Sequence, residues 1–180
     1  QYLHAEHMGE DRLCIRVPFC PSPPNPHISF THLSQTINLF TLMLPIHQQK
    51  KQLNQYKKLI SNGDNLGIKI SYIEQDKPRG LPDAFVLGEK FIGKDNVAMI
   101  LGDNFFYGQN LTAKLLDCVK IRNGAKVLLH SVQTPELFGV AKVDKSNKII
   151  QLKEKPKKFI SNNAITGLYF FDNKVVQYSK

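Results

Sequence analysis

With 180 residues, 42% of them hydrophobic and 22% charged, the chain can bury one apolar core, which excludes a disordered or collagen-like polypeptide and predicts a single globular domain. Its formal net charge of +9 favours phosphate-bearing partners without choosing among nucleic acid, anionic membrane and small metabolite. Scattered lysines, no zinc-finger spacing and no RNP-type aromatic pattern argue against nucleic acid, and no apolar run reaches the roughly 18 residues of a membrane span.

The first residues, Gln1 to His7, hold no basic stretch leading into an apolar one, so no secretory leader is expected. Three cysteines, Cys14, Cys20 and Cys118, are too few and too separated for a disulfide framework, and the expected compartment is the cytoplasm. Composition changes near residue 46: five of the six histidines and six of the ten prolines lie at or before residue 47, whereas ten of the eleven glycines lie at or after Gly63. The run Cys20-Pro21-Ser22-Pro23-Pro24-Asn25-Pro26-His27 forbids helix and central strand, because proline lacks the amide hydrogen and restricts the residue before it. Residues 1–46 are therefore expected to be irregular. The spacings among Cys14, Cys20, His27 and His32 are not those of a structural zinc site.

From His47 onward helical and strand-like stretches alternate. Gln48 to Asn62 carries Leu53, Tyr56 and Ile60 at helical spacing, with Gly63 as the stop. Ile68 to Ile73 alternates apolar and polar as a strand does. A helix is expected from Leu81 to Phe91, with Pro82 in its first turn, and Val97 to Leu101 reads as a strand buried on both faces. Leu111 to Arg122 then reads as helix, with Cys118 in its core-facing set, and Ala125 to Val132 as strand. Gly139 to Val143, Ile149 to Lys153 and Thr166 to Phe171 complete the strands. His130 belongs in or at the end of a strand, in a structural role. This alternation predicts an α/β fold with a mainly parallel sheet and helices on both faces, whose ligands bind beyond the carboxyl ends of the strands.

Three strand ends carry candidate chemistry, each with a plainer alternative. Asp103, in Leu101-Gly102-Asp103-Asn104, either holds a divalent cation against phosphate oxygens or belongs to an Asp-Asn turn. In the loop Glu74 to Ala84, Gln75 offers a donor and an acceptor to a nucleobase edge and Gly80 permits close backbone approach, unless the stretch is an ordinary polar loop. Glu154 and Lys155 stand side by side before Pro156. Adjacent residues of an extended chain point to opposite faces, so they face one ligand only if the backbone bends there, as Pro156 favours. Glu154 then suits sugar hydroxyls and Lys155 a phosphate; otherwise the run is a solvated charge cluster. Gly139 and Gly167 mark either close ligand approach or a strand bend.

In identity and order, the segments Gln75 to Ala84, Leu101 to Gly108, Phe138-Gly139-Val140, Glu154-Lys155-Pro156 and Thr166-Gly167-Leu168-Tyr169 closely resemble the bacterial glucose-1-phosphate thymidylyltransferases, of the sugar-1-phosphate nucleotidyltransferase family. The resemblance covers about residues 53 to 180. It implies a Rossmann-like nucleotide-diphospho-sugar transferase fold, Mg²⁺ as cofactor, and dTTP and glucose 1-phosphate as substrates for dTDP-sugar and polysaccharide synthesis. It further implies that Gln75 and Gly80 read the thymine, that Gly139, Glu154 and Ile165 contact the sugar, and that Lys155 pairs with its phosphate. Asp103 would hold the metal, and Asp103 and Lys155 would be the catalytic residues. Family members of full length are expected to be homo-oligomers.

The family's glycine-rich phosphate loop, of the type G-G-x-G-T-R-L, has no counterpart before residue 63, where Gly9 is the sole glycine and Arg12-Leu13 echoes only the loop's end. Its second metal-binding aspartate falls beyond the last residue here. The expectation is an incomplete fold, with residues 1–46 an aberrant segment and 47–180 a partial nucleotidyltransferase domain that is inactive by itself. Two other functions stay open: a uridylyl- or other sugar-phosphate nucleotidyltransferase, and a non-catalytic remnant that binds nucleotide sugars.

Overall fold

The computed structural model describes residues 11–17, 40–46, 54, 57–64, 68–75, 79–101, 104–107 and 110–180. They fall into two compact units, one made by Val127–Leu168, the other by the described residues up to Lys126 together with Tyr169–Lys180.

In the larger unit, strands β1 (Asp11–Val17), β2 (Phe40–Ile46), β3 (Lys69–Glu74) and β4 (Asn96–Ile100) lie in the order β3-β1-β2-β4. β1 is antiparallel to both neighbours, with Asp11 opposite Ile46 on one side and Glu74 on the other. β2 runs parallel to β4, Phe40 opposite Asn96 and Met43 opposite Met99. Strands β2, β3 and β4 therefore share one direction and β1 lies reversed among them. Strand structure at Asp11–Val17 and Phe40–Ile46 departs from the irregular chain expected through residue 46. The physical signal is local: Leu13, Ile15 and Val17 alternate with Arg12, Cys14 and Arg16, and the proline-rich run lies between the two strands, not in them. Pro45, with no amide hydrogen to give, falls beyond the end of the β2–β4 ladder.

Helices α1 (Pro82–Leu87) and α2 (Glu89–Ile92) precede β4, and α3 (Leu111–Val119) follows it. The single helix expected over Leu81 to Phe91 is divided at Gly88, which takes φ −82° and ψ 1°. Glycine has low helix propensity and no side chain to hold the turn. Phe85, Ala84, Ile92, Val97 and Met99 form a buried core with Val175 and Val176 of the terminal helix α4 (Val175–Tyr178). Phe85 meets Phe171 edge to face, centroids 5.3 Å apart. Cys118 is buried, as expected for a core residue, and burial pushes its thiol pKa up.

The helical turn that includes Lys57–Ile60 gives way at Ser61, which takes φ +54°, two residues ahead of the expected stop, Gly63. Its φ is +87°, and a Cβ there would stand 2.6 Å from the Ile68 carbonyl oxygen. Both the conformation and the backbone contact exclude a side chain. Gly63→Ala is expected to lower stability by about 2–3 kcal/mol, read as a fall in the urea midpoint at unchanged slope.

The smaller unit holds most of β5 (Ala125–Ser131), a 3-10 turn at Pro135–Leu137, β6 (Gly139–Val143), β7 (Ile149–Glu154) and the first part of β8 (Asn163–Phe171). β6 lies between β7 and β8 and is antiparallel to both, and β5 pairs with β8. The α/β class is thus as expected; β2–β4 is parallel, while β1–β2, β1–β3, β6–β7 and β6–β8 are antiparallel. The reason lies in the connections. Parallel neighbours need a long crossover, usually a helix, whereas β6 and β7 are joined by a short turn. No helix among the described residues is long and apolar enough to cross a membrane.

Candidate functional site

Within the smaller unit the β6–β7 register sets Gly139 opposite Glu154. A Cβ built on Gly139 would stand 2.8 Å from Glu154 Oε2 and 3.8 Å from Ile165 Cδ1. Three residues from three strands thus converge: a glycine that exposes backbone, a carboxylate, and an apolar side chain. Such a corner suits a sugar ring, whose hydroxyls seek acceptors while its ring carbons and hydrogens rest on apolar surface.

The backbone bends at Lys155, as the neighbouring proline predicts. Lys155 takes φ +40°, rare for a residue with a side chain, and its N–H donates to the Phe138 carbonyl at 3.0 Å. A left-handed residue of this kind costs about 1–2 kcal/mol, offset here by the hydrogen bond and by the buried Pro156 that follows. Both the Glu154 and Lys155 side chains are exposed. Behind the corner, Thr166 Oγ1 donates to the Leu128 carbonyl at 2.8 Å and Ser161 Oγ to the Ala141 carbonyl at 2.6 Å, tying β8 and its approach to β5 and β6.

The turn joining β6 to β7 sets the register that brings Gly139 to Glu154. Asp144 Oδ1 accepts from Ser146 N (2.8 Å), Ser146 Oγ (2.7 Å) and Lys148 N (2.9 Å). The Ser146 hydroxyl, then the Lys148 amide, hold the Asp144 carboxyl below its ordinary value of 3.8. A carboxyl with a depressed folded pKa stabilises the fold above its unfolded value, and that contribution is lost as pH falls through the folded pKa. Asp144→Asn is accordingly expected to flatten the acid side of the stability profile below about pH 4, measured by urea unfolding across pH; an unchanged slope would contradict it.

In the larger unit Gln75 follows β3 and is 3% exposed. Its Nε2 donates to Asp83 Oδ2, and Arg79 Nε donates to Asp83 Oδ1 at 3.1 Å. Gly80 lies between them in sequence with φ +84°, a conformation that favours glycine. Asp83, in the first turn of α1, was not singled out by sequence. An acidic residue in a helix's first turn is commonplace, so nothing in the pattern ties it to Gln75. Asp103, the expected metal ligand, lies outside the described residues. Among the described residues no group of three or more His, Cys, Asp or Glu stands ready for a metal. Asn104 N–H reaches the Leu101 carbonyl at 3.1 Å. His130 lies in β5 with its side chain exposed.

A family described as nucleotidyl transferase matches residues 31–180, reaching into the segment before residue 46. The chain is 44% identical over 125 residues to the glucose-1-phosphate thymidylyltransferase of Neisseria meningitidis serogroup A, spanning 69% of this chain and 43% of that protein. With the enzyme of the same name from Mycobacterium tuberculosis the identity is 41%, again over 69% of this chain and 43% of the relative. Among solved structures, a Bacillus anthracis protein assigned as a glucose-1-phosphate thymidylyltransferase, crystallised with sucrose, is similar with a TM-score of 0.62 and 38% identity, over 72% of this chain and 52% of that one. The chain therefore spans less than half the length of these curated relatives.

Proposed function

The chain belongs to the nucleotidyl transferase family, and from that membership we propose that it serves the glucose-1-phosphate thymidylyltransferase reaction. A phosphate oxygen of glucose 1-phosphate attacks the α-phosphorus of dTTP, the bond from that phosphorus to the β-phosphate breaks, and dTDP-glucose and pyrophosphate form. The observation that carries the reading is the corner where Gly139, Glu154 and Ile165 converge beside the bent Lys155. Glu154 accepts hydrogen bonds from sugar hydroxyls, Gly139 lets the ring approach the backbone, and the Lys155 ammonium pairs with the sugar's phosphate as a point charge. Gln75 and Gly80 meet the thymine. Positioning and electrostatics supply most of such a catalysis.

Mg²⁺ belongs to this proposal with Asp103 as ligand, and bound there it would neutralise charge on the phosphate oxygens. The proposed setting is the cytoplasm, in dTDP-sugar and polysaccharide synthesis, with self-association in the full-length enzyme.

Calorimetric titration with dTDP-glucose tests the reading: saturable binding, tighter than for UDP-glucose, is expected, and no binding would contradict it. Tighter UDP-glucose binding would transfer the assignment to a uridylyltransferase. One sequence feature favours a second reading, a nucleotide-sugar binder without turnover. Gly9 is the only glycine before residue 63, so that stretch lacks a glycine-rich sequence of the kind that cradles a triphosphate. Pyrophosphate release from dTTP and glucose 1-phosphate separates the two, since a binder would show saturation and no release.

A further inference from the structure

The chain carries the dipeptide Asn-Gly twice, at Asn62-Gly63 and Asn123-Gly124. Glycine has no Cβ to hinder approach, so its backbone nitrogen can reach the carbonyl carbon of the preceding asparagine side chain. Once that nitrogen has lost its proton to solvent base, a new N–Cγ bond closes a five-membered imide. The Cγ–Nδ2 bond breaks, and ammonia leaves after taking a proton from water. Water then opens the imide at either carbonyl, giving aspartate or isoaspartate. We propose that Asn123-Gly124, and not Asn62-Gly63, is the self-modification site of the folded chain, and that the Asp172 carboxylate restrains it.

Local geometry separates the two sequences. Asn62 is tied at both ends of its side-chain amide: Nδ2 donates to Asp64 Oδ2 at 2.6 Å, and Oδ1 accepts from Asp64 N–H at 3.3 Å. Turning Cγ of Asn62 onto the Gly63 nitrogen breaks both bonds within a turn where Gly63 is buried against the Ile68 carbonyl. Asn123 and Gly124 are both exposed, and the Asn123 side chain makes no hydrogen bond among the described residues. Gly124 takes φ +82°, and nothing stands within 4 Å of where its Cβ would lie, so the imide has room to form.

The restraint at the second site acts on the nucleophile. Gly124 N–H donates to Asp172 Oδ2 at 2.7 Å, and Asp172 N–H returns a bond to the Gly124 carbonyl at 3.0 Å. Asp172 is 7% exposed and its Oδ1 accepts from Lys174 N–H at 3.0 Å, so the carboxylate is fixed in place. A negative charge at hydrogen-bond distance opposes formation of the amide anion that must attack. A neutral acceptor in the same position opposes it less. Isoaspartate carries the main chain through its side-chain carbon and so lengthens the backbone just before Gly124. The reciprocal pair with Asp172 cannot survive that lengthening unchanged, and the entry to β5 is loosened.

The test incubates the full chain, wild type and Asp172→Asn, in mildly alkaline buffer with and without urea. Peptide mass spectrometry follows amide-to-acid conversion at Asn62 and Asn123. In the folded wild type Asn123 is expected to convert while Asn62 lags, and in urea both should convert faster and at similar rates. Asp172→Asn should speed conversion of Asn123 about tenfold, the size of one charge-assisted hydrogen bond, and leave Asn62 unchanged. Asn62 keeping pace with Asn123 in the folded wild type would overturn the choice of site. An Asn123 rate unchanged or slowed by the substitution would overturn the restraint, a slower rate marking a carboxylate that acts as base. If Asp172→Asn does not fold, both its sites convert at their urea rates and the wild type decides. Base-catalysed hydrogen exchange at Gly124 passes through the same amide anion. Slow exchange at this exposed glycine supports the restraint, and exchange at the unfolded rate overturns it.

Discussion

Replacing Phe85 by alanine is expected to cost about 3–5 kcal/mol of stability, the largest loss from any single substitution considered for this chain. Helix α1 runs only from Pro82 to Leu87, too short to persist without tertiary packing. Phe85, 4% exposed, is its principal anchor in the cluster of Ile92, Val97, Met99, Val175 and Val176. The substitution leaves a cavity and removes the edge-to-face partner of Phe171, whose ring centroid lies 5.3 Å away. Domains are commonly stable by about 5–15 kcal/mol in total, so a loss of this size brings a domain at the low end of that range to the edge of unfolding at room temperature. Urea unfolding gives the value, with Phe85→Leu losing less because it keeps most of the volume. A loss below about 1 kcal/mol would mean that the ring is not packed as described.

The second large effect is on binding and leaves stability alone. Gly139→Ala places a methyl group 2.8 Å from Glu154 Oε2. The obstructed atom is the far end of an exposed, flexible side chain, so the carboxylate swings away at little cost to the fold. Ile165, at 3.8 Å, is in ordinary contact and need not move. If Glu154 accepts hydrogen bonds from the sugar, dTDP-glucose affinity should fall about tenfold to a hundredfold, the worth of a hydrogen bond to a charged group. The melting temperature should stay constant or rise slightly, since alanine restricts the unfolded chain. Unchanged affinity would show that the sugar does not lie at this corner. Lys155→Gly complements the test: it should weaken phosphate binding and raise stability by about 1 kcal/mol as the left-handed strain is relieved.

The elements from Ile68 to Phe171 were readable because period-two and helical patterns are local, and each was interrupted by glycine or a polar turn. Strand direction was not equally readable. Nothing in Leu13-Cys14-Ile15 says which neighbour the strand will face or in which sense, and the prolines between Val17 and Phe40 concealed that strands flank them. At the site, Pro156 marked the end of the strand, but the left-handed φ of Lys155 was not legible, since proline biases the residue before it towards extended backbone. The meeting of Gly139, Glu154 and Ile165 comes from strand register, which family resemblance anticipates and composition does not. The Gln75–Asp83 bond joins residues eight apart across a loop, and first-turn acidic residues are too frequent for it to have stood out.

On the reading proposed above, this nucleotidyl transferase chain receives a sugar phosphate where β6, β7 and β8 meet. Backbone amide chemical-shift mapping of the ¹⁵N-labelled chain during titration with glucose 1-phosphate tests it most directly. Saturable shifts at Gly139, Glu154, Lys155 and Ile165 with one common affinity are predicted. A titration that leaves these four amides unmoved while others saturate, or that moves none, would contradict it.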